Sequence, residues 1–248
     1  IGVIAVRTSS ARLPQKALLK IGNYSLIERI IERVKTIRGL AGVVVCTSEK
    51  PEDDILEKIA KKQGVLCFRG SLEDKLARFL GAAVKFKADY LIMLDGDDPF
   101  CDPELVELAV KQVKRKSCDV IKLPDGLVCG GFTFCLSTKA IKKACQMKDT
   151  NDTEMYESYF LETGQFKITD LKVNDSIFFN DQVRLTLDYR EDLDFFRKVF
   201  DELKIEKNIL PLRKILKFLK KRPEIAKINF SRHKDYLAKR ELMRQGLK

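Results

Sequence analysis

The stretch Gly2–Lys20, GVIAVRTSSARLPQKALLK, changes abruptly from apolar to cationic. Its first residues, 3–6, predict a buried strand. The turn that follows carries three cations and three hydroxyls within ten residues: Arg7, Thr8, Ser9, Ser10, Arg12 and Lys16. Anionic ligands bind past the carboxyl end of such a strand in open α/β sheets, and arginine and hydroxyl groups can hold phosphate oxygens. The stretch therefore predicts a phosphate-binding loop, against the alternative of a solvated basic loop.

Charge is distributed unevenly along the 248 residues, whose formal net charge is +11. Residues 204–248 contain 15 lysines and arginines but 4 acids, whereas residues 1–203 contain 32 of each kind. We therefore predict a neutral catalytic domain over 1–203 and a basic helical extension over 204–248 that packs on it. Because a nucleic-acid-binding domain carries its basic face on the folded body, nucleic acid is a disfavoured partner.

Composition also disfavours several classes of protein and site. No run of about 18 apolar residues occurs, so we predict no membrane span. The seven cysteines form no C-x-x-C pair, which indicates free thiols in a reducing cytoplasm. The one histidine is His233, which excludes a His-dependent triad or a multi-His metal centre, and we expect a site without histidine.

Strand and helix signals alternate through the first half of the chain. Apolar strands are predicted at 3–6, 42–47, 65–68 and 90–94. Ser25, with Glu28 three residues later, predicts a helix that begins with a capping box. Ser71 is predicted to cap another helix, and Asp102 before Pro103 a third. The alternation predicts an α/β fold with a mostly parallel sheet and helices on both faces.

The second half of the chain is less regular. Its predicted strands cover 118–123, 130–136, 166–173 and 183–187, and its predicted helices cover 137–147, 153–163, 190–203 and the stretch after 210. An apolar stripe in that last stretch is predicted to dock on the body, with lysines on the solvated face: Leu210, Leu212, Ile215, Leu216 and Leu219. The alternative is a nucleic-acid or membrane-surface module.

Acidic residues follow two of the predicted strands. For Asp95-Gly96-Asp97-Asp98-Pro99, the alternative to a metal site is a helix-capping loop, but Asp102 already caps the next helix and leaves three acids unexplained. Clustered carboxylates repel one another unless a cation lies among them, and carboxylate with phosphate oxygens is a usual magnesium environment. In 184–193, RLTLDYREDL, a strand is predicted to end at Asp188 before a helix.

Two arginines lie in the segment 68–79, FRGSLEDKLARF. Arg69 ends a predicted strand and could reach a nucleotide base or phosphate. Arg78 follows Asp74 by four residues, so the alternative to a ligand contact is an ion pair along the helix.

The pattern Arg-x-x-Ser-x-Arg-Leu-Pro-x-Lys-x-Leu at 7–18 resembles the nucleotide-binding signature of the cytidylyltransferases that activate acidic sugars. The chain is most similar to the spore-coat polysaccharide biosynthesis protein F-like branch, a relative of the CMP-Kdo and CMP-sialic acid synthetases. Segments 95–99, 184–193 and 68–79 resemble further motifs of these enzymes, and the resemblance extends from residue 1 to about residue 229.

The resemblance implies a glycosyltransferase-A-like, Rossmann-related fold, with a nucleotidyltransferase domain over 1–203. It implies that Asp97 and Asp188 hold magnesium, and that Arg12 and Lys16 offset the charge on the pyrophosphate as catalytic groups. The residues it places around the nucleotide are Arg7, Ser10, Arg12, Lys16, Arg69 and Arg78. Gln15 stands where these families usually have glycine, so we expect a less flexible loop.

The implied reaction is attack of a sugar hydroxyl or phosphate on the α-phosphorus of CTP, or of another NTP, with release of pyrophosphate. The implied acceptor is an acidic sugar or a phosphorylated compound used for surface polysaccharide, and a homodimer is possible. The alternative is a glycosyltransferase of similar fold that uses Asp95-Gly96-Asp97 as its D-x-D motif. The cationic loop argues against it, because a nucleotide sugar has no free γ-phosphate.

Overall fold

Strands and helices alternate along residues 1–206 and 208–245, the part of the chain that the computed structural model describes. The strands are β1 (Gly2–Ala5), β2 (Lys20–Ile21), β3 (Tyr24–Ser25), β4 (Val43–Ser48), β5 (Leu66–Gly70), β6 (Tyr90–Asp95), β7 (Val120–Lys122), β8 (Phe134–Ser137) and β9 (Ile168–Asp170). The helices are α1 (Leu26–Lys35), α2 (Asp54–Lys62), α3 (Lys75–Lys85), α4 (Pro103–Arg115), α5 (Thr138–Met147), α6 (Tyr156–Leu161), α7 (Arg190–Glu202), α8 (Leu212–Lys221) and α9 (Pro223–Gln245).

The main sheet has the strand order β5-β4-β1-β6-β8-β7-β9. β5, β4, β1 and β6 are parallel neighbours, β8 runs antiparallel to both β6 and β7, and β9 is parallel to β7. The chain moves outward from β1 through β4 to β5, then returns to place β6 on the other side of β1. Such a reversal of strand order opens a crevice beyond the carboxyl ends of the two strands, and both predicted ligand loops follow β1 and β6.

Helices cover both faces of this sheet, as predicted. Successive strand residues point to opposite faces, so Ile4 packs in one apolar cluster and Val3 in the other. The first cluster includes side chains of α1, α2, α4, α7 and α8, and the second those of α3, α5 and α6. Two layers of helix around a mostly parallel sheet confirm the predicted fold class.

Local capping signals were mostly sufficient to place helix starts. The capping box of Ser25 and Glu28 at α1 is confirmed, as is the Asp102 cap of α4. The prediction that Ser71 caps α3 is wrong. Asp74 is the cap and accepts a hydrogen bond from the amide of Ala77, while the Ser71 hydroxyl accepts one from the Asp74 amide.

The predicted strand 183–187 is also wrong. This segment is extended but joins its neighbour through a single bridge between Arg184 and Cys129. Gly130 explains why the two backbones lie so close together, since a Cβ there would lie 2.4 Å from the Leu185 carbonyl oxygen. The predicted strand 130–136 is correspondingly shortened to β8, which begins at Phe134.

The basic carboxy-terminal helices share the core of the sheet. Leu212, Ile215, Leu216 and Leu219 are buried in the first apolar cluster. Asp102 fastens the start of α8 as well as that of α4, because its carboxylate accepts a hydrogen bond from the Leu212 amide at 3.0 Å. These contacts favour an extension that packs on the body, and the division at residue 203 stays a prediction. Within the described ranges, we find no helix with both the length and the apolarity of a membrane span.

Candidate active site

A cavity of about 880 Å³ opens at the carboxyl ends of β1 and β6. Its lining includes residues of three segments: the cationic loop (residues 7–16), the acidic loop (95–98) and the Asp188 segment (184–192). Seven of the eight predicted site residues line it, namely Arg7, Ser10, Arg12, Lys16, Arg78, Asp97 and Asp188. The fold therefore brings together residues that are up to about 180 positions apart in the chain.

Lys16 joins the three segments. Its Nζ donates to Asp97 Oδ2 at 2.5 Å and to Asp188 Oδ1 at 2.9 Å. Burial alone would lower the pKa of this ammonium, but the charges of Asp97 and Asp188 outweigh burial and raise it. Lys16 therefore stays protonated, and its position shows that one cation can contact both carboxylates.

The carboxylate of Asp188 is surrounded by cations. Arg12 Nη2 donates to Oδ1 at 2.5 Å, and Arg184 Nη2 donates to Oδ2 at 3.0 Å. Burial would raise the pKa of Asp188, but Lys16 and Arg12 outweigh it and hold that pKa below its usual range. The Leu187 amide donates to the Asp97 carbonyl at 2.8 Å, which ties the Asp188 segment to the acidic loop.

The acidic loop places three carboxylates together: oxygens of Asp95, Asp97 and Asp98 lie within 4.8 Å of one another. Partial burial and then the charge of Asp97 raise the pKa of Asp95 to about 7. Burial, followed by the charges of Asp97 and Asp95, raises the pKa of Asp98. Gly96 allows the acidic loop to lie against the residues at the end of β1, because a Cβ there would lie 2.6 Å from the Val6 side chain. Crowded, desolvated carboxylates of this kind fit a hard divalent cation with oxygen ligands.

Contacts outside the cavity hold the cationic loop in shape. The amide and hydroxyl of Thr8 donate to Asp53 Oδ1 at 2.7 and 2.6 Å, so this hydroxyl serves the loop. Gln15 has a left-handed backbone (φ 53°) just before Lys16. Glycine adopts that conformation more easily than other residues, which explains why these families usually have glycine where this chain has Gln15.

The three remaining predicted arginines differ in position. Arg7 lines the cavity and pairs with Glu154 at 3.2 Å. Arg78 also lines it but donates to the Ser71 carbonyl at 2.8 Å. The alternative of an ion pair with Asp74 is wrong.

The carboxylate of Asp74 is bound instead by Lys148, whose Nζ lies 2.6 Å away. Arg69 is not among the residues that line the cavity. Its guanidinium pairs with Asp54 and Glu57 beside α2, so its position does not support a nucleotide contact.

Other residues of the cavity were missed by sequence reasoning. Lys75 and Glu154 both line the cavity and form an ion pair at 3.0 Å, although 79 residues separate them. Tyr156 contributes an aromatic surface there, and Lys122 a further cation. His233 lines the cavity from α9, so the expectation of a site without histidine is wrong. Of these residues, Lys75 lies inside segment 68–79, which the sequence singled out, whereas no local motif marks Lys122, Glu154, Tyr156 or His233.

Comparison with known proteins assigns the chain to a family. A family model described as Cytidylyltransferase matches residues 1–243. An uncharacterised protein of Methanocaldococcus jannaschii is 32% identical over 244 residues, which cover 95% of this chain and 97% of the relative. Spore coat polysaccharide biosynthesis protein SpsF of Bacillus subtilis is 29% identical over 217 residues, or 81% of this chain and 85% of SpsF.

A solved structure is similar over nearly the same length. The cytidylyltransferase from Leptospira borgpetersenii serovar Hardjo-bovis superposes with a TM-score of 0.82 at 26% identity, covering 91% of this chain and 95% of that one. The family resemblance predicted from the loop and acid motifs is confirmed, as is the Rossmann-like nucleotidyltransferase fold. The chain belongs to the cytidylyltransferase family.

Proposed function

We propose that this cytidylyltransferase transfers CMP from CTP to an acidic sugar or a phosphorylated acceptor, with magnesium and with release of pyrophosphate. The observation that carries the proposal is the position of Lys16, whose ammonium contacts Asp97 and Asp188 in one cavity beside Arg12. This arrangement combines fixed cations for a polyphosphate with carboxylates for its metal. The family match supports the nucleotide class.

The cationic loop would hold the triphosphate. Arg12 and Lys16 are only partly exposed, at 27% and 14% of their side-chain surface, so phosphate oxygens would meet their charges with little screening by water. Ser10 and Arg7 also line the cavity. As charge moves to the departing pyrophosphate, these fixed groups would stabilise it without rearranging, which is the main contribution a protein makes to such transfers.

Asp97 and Asp188 would hold the magnesium ion, with Asp95 and Asp98 enclosed beside Asp97. When bound, this ion neutralises phosphate charge and polarises the α-phosphate. The raised pKa of Asp95 and the crowding of the acidic loop support a cation at this place. Lys16 contacts two of these carboxylates, those of Asp97 and Asp188, and so fixes their position relative to each other.

The acceptor would contact residues of the cavity lining that lie outside the cationic loop, the acidic loop and the Asp188 segment. These include two cations, Lys75 and Lys122, and the aromatic side chain of Tyr156, which suits an anionic sugar with one apolar face. A volume of about 880 Å³ falls within the usual range for ligand sites, roughly 300–1,000 Å³. The name of the B. subtilis relative and the resemblance to sugar-acid synthetases support an acceptor destined for surface polysaccharide. Self-association as a homodimer belongs to the same proposal.

The glycosyltransferase alternative has no comparable support, because the match over 1–243 is to cytidylyltransferases. The proposed activity is tested by incubating the purified chain with each of the four NTPs, Mg²⁺ and a panel of acidic sugars and sugar phosphates. We expect CTP-dependent pyrophosphate release and a CMP-linked product in mass spectrometry, both abolished by EDTA. Release from no NTP with any acceptor, together with no Mg²⁺-dependent thermal protection by CTP, would contradict the proposal.

The role of the loop is tested with a matched pair of arginine variants. Arg12→Ala should lower kcat/KM for CTP by at least about tenfold, because a partly buried cation that faces the phosphates is lost. Arg38→Ala is the control, since Arg38 is exposed and pairs with Glu107 away from the cavity. Equal effects of the two substitutions would remove Arg12 from the binding site.

A further inference from the structure

A buried polar chain links the carboxy-terminal helix α9 to the carboxylate of Asp188. Asn229 on α9 is fully buried, and its Nδ2 donates to Asp192 Oδ1 at 2.9 Å. Asp192 in turn accepts from Arg184 Nε at 3.0 Å, and Arg184 Nη2 donates to Asp188 Oδ2 at 3.0 Å. The four residues are each at most 1% exposed, so water does not compete for these hydrogen bonds.

Asn229 acts on the Asp188 segment at two points. The same Nδ2 that binds Asp192 also donates to the Arg184 carbonyl at 3.1 Å. Asn229 therefore holds the main chain of Arg184 and also Asp192, the carboxylate that pairs with the Arg184 guanidinium. Asp192 Oδ2 accepts from the amides of Asp188 and Tyr189, each at 2.8 Å. Main chain and side chain of Asp188 are therefore both held by groups that contact Asn229.

The consequence is a fixed orientation of the Asp188 carboxylate. Oδ2 is bound from the interior by Arg184, and Oδ1 is left facing the cavity, where Lys16 and Arg12 contact it. We propose that Asn229 is a positioning residue for Asp188, so that α9 is an integral part of the metal-binding site. This inference rests on the proposed function, because it takes Asp188 as a ligand of the metal.

A further contact places α9 against the same segment, because Arg232 Nη2 pairs with Glu191 at 2.6 Å. His233, one helical turn after Asn229, lines the cavity. Residues four apart share one face of a helix, so a single face of α9 presents both the interior support and a part of the cavity wall. Groups that orient a metal ligand from behind typically change metal affinity or activity by roughly 10–100-fold when they are altered.

The test compares Asn229→Ala with Ile225→Ala. Ile225 lies one turn earlier on α9, is 2% exposed and packs in the apolar core, so its truncation weakens the docking of α9 without removing a hydrogen bond to Asp192. Mn²⁺ is titrated into each full-length variant in the presence of CTP, and free Mn²⁺ is measured by electron paramagnetic resonance. Thermal unfolding of the ligand-free variants reports how much stability each has lost.

We expect Asn229→Ala to weaken CTP-dependent Mn²⁺ binding by roughly tenfold and to raise the half-saturating Mg²⁺ concentration of the reaction similarly, with kcat recovering at high Mg²⁺. Ile225→Ala should bind Mn²⁺ as the wild type does. Wild-type affinity in Asn229→Ala, or equal weakening in both variants, would overturn the proposal. Should Asn229→Ala not fold, Asn229→Ser, which keeps one donor, is judged by the same titration.

The wild-type protein separates this inference from the proposed function. If it binds no Mn²⁺ with CTP, the proposed function fails and the inference falls with it. If it binds and the Asn229 variants bind equally well, only the inference fails.

Discussion

The acidic loop and the Asp188 segment each supply a carboxylate to Lys16, yet their electrostatics are opposite. In the acidic loop, three carboxylates crowd together, and the pKa of Asp95 is raised to about 7 by partial burial and Asp97. In the Asp188 segment, one carboxylate meets Lys16, Arg12 and Arg184, and its pKa is lowered. The first region gains from an added cation, whereas the second already depends on its cations for folding. Substitutions in the two regions should therefore separate activity from stability.

The largest expected effect is loss of activity in Asp97→Asn. The substitution removes a proposed metal ligand, so turnover should fall by at least about 100-fold, more than is typical for groups behind a ligand. The free energy of unfolding should change by less than about 1 kcal/mol, because relief of repulsion from Asp95 and Asp98 offsets the weakened pairing of Lys16. Pyrophosphate release and urea denaturation measure the two quantities. Near-normal turnover would show that Asp97 is no ligand.

Asp188→Asn should lower activity as well, but here stability changes most. Arg184 is fully buried, and the substitution removes the charge that its Nη2 contacts. Disrupting a buried pair from one side costs about 3–5 kcal/mol, and the retained Asp192 should reduce this cost to the lower end. Urea denaturation beside Asp97→Asn provides the comparison. Equal stability of the two variants would mean that the regions do not differ electrostatically.

The pH dependence of stability should also differ between the two regions. A carboxyl whose folded pKa is raised stabilises the fold at low pH, and that contribution is lost as the pH rises through the folded value, for Asp95 between about pH 4 and 7. Asp188, with a lowered pKa, contributes stability above about pH 4 and loses it below.

Between pH 5 and pH 8, the free energy of unfolding of the wild-type protein in EDTA should therefore fall by about 1 kcal/mol relative to that of Asp95→Asn. The expected change is small because Asp95 is only half-buried. Thermal unfolding in EDTA at several pH values provides the measurement, with Asp95→Asn as the reference at each pH. A pH-independent difference between the two proteins would contradict the raised pKa.

The smallest effect is expected at Gln15, in the loop that serves both regions. A left-handed backbone costs a non-glycine residue roughly 1–2 kcal/mol, partly offset by the greater entropy of glycine in the unfolded chain. Gln15→Gly should thus be more stable than the control Gln15→Ala by about 1 kcal/mol, with kcat/KM for CTP within about twofold of the wild type. If Gln15→Ala is the more stable variant, residue 15 does not adopt the left-handed conformation in solution.

Much of the fold was readable from local signals. Buried strands such as β4 and β6 are continuous apolar runs, and caps such as Ser25 and Asp102 lie next to the helices they begin. These signals involve only a few neighbouring residues, so they can be interpreted without knowing how the rest of the chain folds. The strand predicted at 183–187 is wrong because its neighbour, the loop around Gly130, approaches it for one bridge alone, which no local pattern records.

The sequence alone determined the alternating α/β architecture, the chemistry of the cationic and acidic loops, and the family, because each of these features depends on residues that are neighbours in the chain. The tertiary structure decided which charges meet. It brought Lys16 to Asp97 and Asp188, turned Arg69 toward α2, and carried Asn229 and His233 of the basic extension to the site. Contacts between residues so far apart depend on how helices and strands pack, and packing is set by the whole core and not by any one segment.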